Sequence, residues 1–348
     1  MNLARNWARQ TALLMTALLL AACGGGSSTV ENPAPPGGDT TSCNPADPST
    51  HSECGTVLIG LTDADGDFLN YTVDVVQLTL ETADGRTVDA LPTTTRINFT
   101  DYVELTELLT AATVPPATYI SGTITLDYSD SEVFVEAGDA AKEAVVTDLD
   151  GNPLTQAELK IVLSNRDRLT VVKGRAAFLQ LDFDLAASHI VDIVPTPATA
   201  ASEMFIVAEI FPVDEKNIRV RGPLVDVSVD GNFYTVAIRP FHDRISDFGR
   251  AKVNVTDETE YEVDGVMYVG SEGLRALEAA GQGTPTVAAG TLSTTDREFT
   301  ANIVLAGSSV PGSDRDAVVG NVIKRDGNFL TVRGATIIPR DRRAHFHD

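Results

Sequence analysis

Catalytic signatures are missing from this 348-residue chain. No serine sits in a Gly-x-Ser-x-Gly elbow, no His-Glu-x-x-His pair occurs and there is no P-loop. The usual local marks of a serine hydrolase, a zinc protease and a nucleotide-binding enzyme are therefore absent. Histidine is scarce: His51, His189, His242, His345 and His347 are all there are. Nucleophilic catalysis needs a nucleophile, a base and an orienting group, and no such set stands out. Cysteine is scarcer still, at three. Basic residues are outnumbered, 26 Lys and Arg against 49 Asp and Glu, for a formal net charge of −23. Such a surface repels nucleic acid and anionic headgroups, and suits cations, basic proteins or plain solubility. The apolar run TALLMTALLLAA, residues 11–22, is too short to cross a bilayer as a stable helix.

That run and the basic segment before it read as a signal peptide, residues 1–22. It ends in Leu20-Ala21-Ala22-Cys23, which resembles a bacterial lipobox. The resemblance implies diacylation of Cys23, cleavage before it and acylation of the new amine. Two or three acyl chains anchor stably where one is marginal. The alternative is an ordinary secretory signal with a chance cysteine. Gly24 follows, not the aspartate that marks inner-membrane retention in enterobacteria. The expected address is the Gram-negative outer membrane, lipid-anchored, on the periplasmic face or the cell surface. Removing the signal takes Arg5 and Arg9 with it, which makes the rest more acidic still. Residues 23–54 are rich in Gly, Pro, Ser and Thr and read as a tether. Cys43 and Cys54 are the two thiols left in an oxidising compartment; a disulfide between them is expected, the alternative being two free thiols.

From Gly55 the composition changes. GTVLIGLTD, YTVDVVQLTLET, TRINFTDYVEL, TYISGTITLDY and EVFVEA alternate apolar and polar residues, as half-buried strands do. LKIVLS, LTVVKG, AAFLQLDFDL and MFIVAEIFPV continue the series. The reading is all-β: an antiparallel β-sandwich over 55–214, then a small β-barrel-like domain over 216–308, with few short helices. One helix is expected over Tyr102 to Ala111, with Leu105, Leu108 and Leu109 on one face and Thr100 or Asp101 as N-cap. A second is expected from Ser271 to Ala280, ended by Gly281 and Gly283. Residues 220–236 and 318–332 share a Val-x-Gly strand and an Asp-Gly-Asn-Phe turn. Residues 316–348 are then a partial repeat of the second domain, added strands, or a second similar hairpin.

Residues 61–68 read LTDADGDF, residues 115–119 PPATY, and residues 181–185 LDFDL with Ser188 beyond. In this order the three resemble a family of bacterial envelope lipoproteins built on a domain of unknown function. That family carries LTDAPGDF and PAGTY, so Asp65 replaces a proline and a glycine is missing from the second motif. The second block resembles another domain of unknown function, a small β-barrel unit. Its marks here are the DGNF hairpin, Asp257 to Tyr261, and Ala301 to Ile303. The resemblances imply location and fold, and nearly nothing about activity.

Asp63, Asp65 and Asp67 stand at alternate positions, as carboxylates do in a calcium loop, and Asp74 falls at the twelfth place. The glycine, however, is Gly66 at the fourth place, and Phe68 takes the sixth, where the sharp turn demands glycine. Asp-Gly also recurs at 84, 150, 230, 264 and 326, mostly between alternating runs, which is the strongest short hairpin signal. A turn is the preferred reading, with Asp63, Asp65, Asp67 and Asp74 kept as a weak calcium site. Asp182 and Asp184 share a strand face opposite Leu181, Phe183 and Leu185 and read as a solvated face before an acid–base pair. Arg333, Arg340, Arg342 and Arg343 make a basic C-terminal cluster, read as a polar terminus before a docking patch for acidic partners or lipopolysaccharide phosphates.

The expectation is a non-enzymatic binding or structural module of the cell envelope that needs no cofactor, unless calcium. It engages the membrane through its anchor, and a glycan or an envelope protein beyond that. A calcium-stabilised adhesin or matrix component is the alternative, and an envelope hydrolase the second. A glycan binder should show a solvent-facing aromatic platform, for which Tyr71, Tyr119, Tyr128 and Phe134 are the candidates.

Overall fold

Valine, isoleucine, threonine and tyrosine at alternate positions build strands because branched and aromatic side chains pack well on a pleated surface. The computed structural model describes residues 43–63, 66–138, 140–163, 168–202, 206–211, 216–239, 246–313 and 317–338. Cys23, Asp65, His242, Arg340, Arg342, Arg343, His345 and His347 lie outside the described residues. The first block runs β1 (Gly55–Thr62), β2 (Phe68–Thr82), β3 (Thr87–Asp89), β4 (Thr95–Asn98), β5 (Leu105–Val114), β6 (Ala117–Ala137) and β7 (Ala140–Thr147). It continues with β8 (Gln156–Val162), β9 (Leu169–Val171), β10 (Ala176–Asp182), one helical turn α1 (Leu185–Ser188), β11 (His189–Asp192), β12 (Ala198–Ser202) and β13 (Val207–Glu209). The second block has β14 (Asn217–Ser228), β15 (Phe233–Ala237), β16 (Arg250–Asn254), β17 (Glu260–Val263) and β18 (Val266–Val269). Then come α2 (Gly270–Ala280), β19 (Pro285–Leu292), β20 (Phe299–Ala306), β21 (Ala317–Asp326) and β22 (Phe329–Ile338).

The protein is all-β. One sheet runs β11-β12-β7-β6-β2-β3, with β4 on β2 and with β8 and β9 on β6. The other begins β13-β10-β1-β5 and continues through β14 into the second block. Both sheets feed one core: Tyr71 of β2 meets Phe183, just past β10, edge to face at 5.9 Å. The strands are mostly antiparallel, but β1 with β10, β7 with β12, β5 with β14, and β20 with both β16 and β17 pair in parallel. In the second block β19 pairs with both β14 and β20. Pairings thus circle through β14, β15, β16, β20 and β19. The barrel is not closed, because β16 and β20 share only two residue pairs before β17 takes over. The β21–β22 hairpin forms a sheet of its own.

The helix expected over Tyr102 to Ala111 is not there. A 3-10 turn, Phe99–Tyr102, is capped by Asn98, and β5 follows. Leu108, Leu109, Thr110, Ala111 and Ala112 are all buried, so this strand shows no alternation. The spacing of Leu105, Leu108 and Leu109 imitates one helical face only because nearly every residue faces core. The helix read from Ser271 is present as Gly270–Ala280 and ends where Gly281 takes φ +85°. The Asp-Gly turns at 84, 150, 230, 264 and 326 each lie between two strands.

Candidate functional site

The motifs LTDADGDF and LDFDL…SH meet in space, and the meeting begins at Asp63. Its side chain is fully buried at the end of β1 and accepts a hydrogen bond from the Leu185 N–H at 3.0 Å. Asp184 caps the same helical turn by accepting from the Ala187 N–H at 2.9 Å. Gly66 lies so close to α1 that an added Cβ would come within 2.9 Å of the Ala186 Cβ. The turn delivers His189 into the core. Its Nδ1–H donates to the Leu185 carbonyl at 2.9 Å, which leaves Nε2 to accept from the Tyr71 hydroxyl at 2.9 Å. The Tyr71 proton is thereby committed, so the Tyr128 hydroxyl donates to Tyr71 at 3.0 Å. Phe68 and Phe183 edge onto this group, Phe68 at 5.0 Å from the imidazole. Burial pushes His189 down to about 4 and Tyr71 well above its ordinary range. Both imidazole nitrogens are occupied in a dry aromatic setting. The arrangement orders the core and presents no open base.

Lys216, just before β14, closes the outside of this junction. Its Nζ donates to the Asp63 carbonyl at 2.6 Å and to Thr62 Oγ1 at 2.8 Å. Burial pushes the half-exposed Asp182 carboxyl up, against the pull of Lys216. Asp182 and Asp184 therefore have separate roles, one beside a lysine and the other capping a helical turn. Tyr119 of PPATY is buried too, and its hydroxyl donates to the Pro115 carbonyl at 2.8 Å.

The calcium residues divide among different partners. Asp63 points inward to Leu185, and the Asp67 carbonyl accepts from the Glu136 N–H at 2.9 Å. Asp74 lies along β2 beside Arg96, at 3.4 Å. Among the described residues no group of three or more His, Cys, Asp or Glu is placed to hold a metal ion. Replacing Asp63 with alanine strands the Leu185 N–H in the core, a loss of about 1–3 kcal/mol. We expect the urea midpoint of Asp63→Ala to fall equally in calcium and in chelator. A loss confined to calcium-containing buffer would support the metal reading. The aromatic candidates do not form a platform: Tyr71, Tyr119 and Tyr128 are buried and Phe134 is half-buried.

An opening lies elsewhere, beside residues 44–51. A cleft of about 1150 Å³ is walled by Asn44–His51, by Thr87–Pro92 and by Asp247–Arg250. Cys43 and Cys54 are joined by a disulfide, which pins the first wall. Its floor is β5 from Thr110 to Thr113. One edge of β5 pairs with β1, but β14 accompanies the other only along Leu105–Glu107. Past that point the Phe248 carbonyl accepts from the Ala111 N–H at 2.8 Å. Thr113 then faces the cleft with no strand of the described residues on that side. Asp89, Asp247, His51 and Arg250 supply the charge around the opening. Sequence reading missed this cleft, because its lining comes from five separate segments of the chain.

Residues 54–196 match the family described as Domain of unknown function (DUF4382). The match takes in LTDADGDF, PPATY and LDFDL, together with the His189 network, and covers less than half of the chain. No curated protein and no solved structure matches this chain. Within the DUF4382 stretch the motif residues are those that tie β1, α1 and the core together, so their spacing follows from packing.

Proposed function

We propose that this chain is a lipid-anchored outer-membrane protein whose folded part is a non-enzymatic binding module. Its cleft takes an extended, basic segment of an envelope protein. The observation that carries the proposal is the floor of the cleft, where one edge of β5 runs on past β14. Such an edge offers main-chain hydrogen bonds to an added strand, and side pockets then set specificity. The acidic balance of the chain and the carboxylates of Asp89 and Asp247 favour a basic partner. The burial of the aromatic candidates turns the reading from glycan to polypeptide.

The test uses the full-length protein in its own envelope. A photocrosslinking amino acid at Thr87, exposed on the cleft wall, should yield one adduct with an envelope protein. The same label at Val266, exposed on β18, should not. Asp89→Lys should weaken the Thr87 adduct. No adduct at Thr87, or an equal adduct at Val266, would refute the cleft as the binding site.

A further inference from the structure

A second, smaller cavity has an unusual lining for so acidic a chain. It encloses about 250 Å³ between β9, β10, Ile210 and the β19–β20 loop, and its lining includes Arg168, Thr170, Arg175, Phe178 and Arg297. Among the described residues that line it there is no carboxylate. Arg175 and Arg297 are close enough to repel, and burial and the Arg175 charge together hold Arg297 below its ordinary range. Arg297 Nη1 is buried with no hydrogen-bond partner, while its guanidinium lies over the Phe211 ring at 4.4 Å. Arg175 donates to the Thr295 carbonyl and lies within reach of the charge of exposed Asp296, which the cavity lining does not include. The backbone at Arg297 is in the left-handed region, φ +62°, where an arginine is strained.

Each of these features is unfavourable alone. Two guanidinium groups converge, one with an unused buried donor, on a backbone that costs energy to hold. An oxyanion in the cavity offsets the repulsion between the two, because arginine forks match its geometry and its charge cancels theirs. We propose that this cavity is a binding site for a phosphate-type oxyanion, held by Arg175 and Arg297. The group is either free phosphate or the phosphate of a larger molecule such as a lipid headgroup.

The experiment measures thermal unfolding of the full folded chain against inorganic phosphate, with sodium chloride at matched ionic strength as control. Phosphate should raise the midpoint and chloride should not. Arg297→Gly is the informative variant, because glycine relieves the left-handed backbone while removing the donor. Without phosphate its midpoint should equal or exceed that of the parent, yet its phosphate affinity should drop by about tenfold or more. Arg175→Gln should lose the response as well. Flotation of the unacylated Cys23→Ser chain with phosphatidylglycerol vesicles separates the two sources: binding lost when Arg297→Gly is added assigns the site to a lipid phosphate, and no flotation assigns it to a soluble one. A phosphate shift matched by chloride, or kept in full by Arg297→Gly and Arg175→Gln, would overturn the proposal.

Discussion

Glu107→Gln is expected to destabilise the fold by about 3–5 kcal/mol, read as a lower urea midpoint at neutral pH. Glu107 sits on β5 with its side chain only 5% exposed. One carboxylate oxygen contacts Arg219 Nε and the other lies 2.7 Å from Arg221 Nε, both on β14. Arg221 also reaches the Tyr102 hydroxyl at 3.4 Å, and burial pushes Tyr102 up to about 12. The pairing of β5 with β14 covers only three residues on each side. The ion pairs therefore hold together a junction that has little backbone ladder of its own. Glutamine keeps the shape and can still accept, but it leaves two guanidiniums without the Glu107 counter-charge in a poorly hydrated place. Removing all three charges together, as Glu107→Met with Arg219→Met and Arg221→Leu, should cost much less than the single change, because no unpaired charge remains. A triple variant as unstable as Glu107→Gln would show that the charges themselves stabilise the junction.

The same strand shows where reading the sequence stopped being informative. Alternation reveals a strand when one face meets water, as along β2 and β15. β5 is buried on both faces, so its alternation vanished and three leucines imitated a helix. A lone glutamate inside the apolar run LTELLTAAT was a usable sign, since a buried carboxylate requires a partner. Its partners, however, lie over a hundred residues away, at Arg219 and Arg221, and nothing local points to them. The Asp-Gly turns were legible because their chemistry is confined to two residues. The family motifs were legible as motifs but not as contacts, because the link from Asp63 to Leu185 spans 122 positions. The cleft and the arginine cavity were not legible at all. Each is a gap between segments, and no short stretch encodes a gap.

His189 gives the other large expectation, a stability that declines as pH falls from about 6.5 to about 4. The ring is buried and neutral, with its folded-state pKa near 4 against an ordinary value of 6.5. The unfolded chain therefore takes up a proton at a pH where the folded chain cannot. Stability is complete above the unfolded value and is lost as pH drops toward the folded one. Each unit of difference is worth about 1.4 kcal/mol, so the full loss approaches about 3 kcal/mol. Lowered carboxylates act with the same sign but at lower pH, from 4.5 down for Glu53 beside Lys173 and from 3.8 down for the aspartates. Asp84, Asp127 and Asp148 are held below 3.8 by local hydrogen bonds, so their contribution fades at lower pH. Burial raises Asp182 and gives it the opposite sign. His189→Phe separates the terms. It leaves the Tyr71 hydroxyl without its acceptor and should lower stability at pH 7 by about 1–3 kcal/mol. It should also remove the histidine's share of the slope, so that parent and variant converge near pH 4.5. Urea unfolding of both proteins at pH 7 and pH 4.5 decides the matter. Parallel curves with a constant gap would mean that His189 does not titrate with unfolding, and that its burial is less complete than the Tyr71 and Leu185 hydrogen bonds imply.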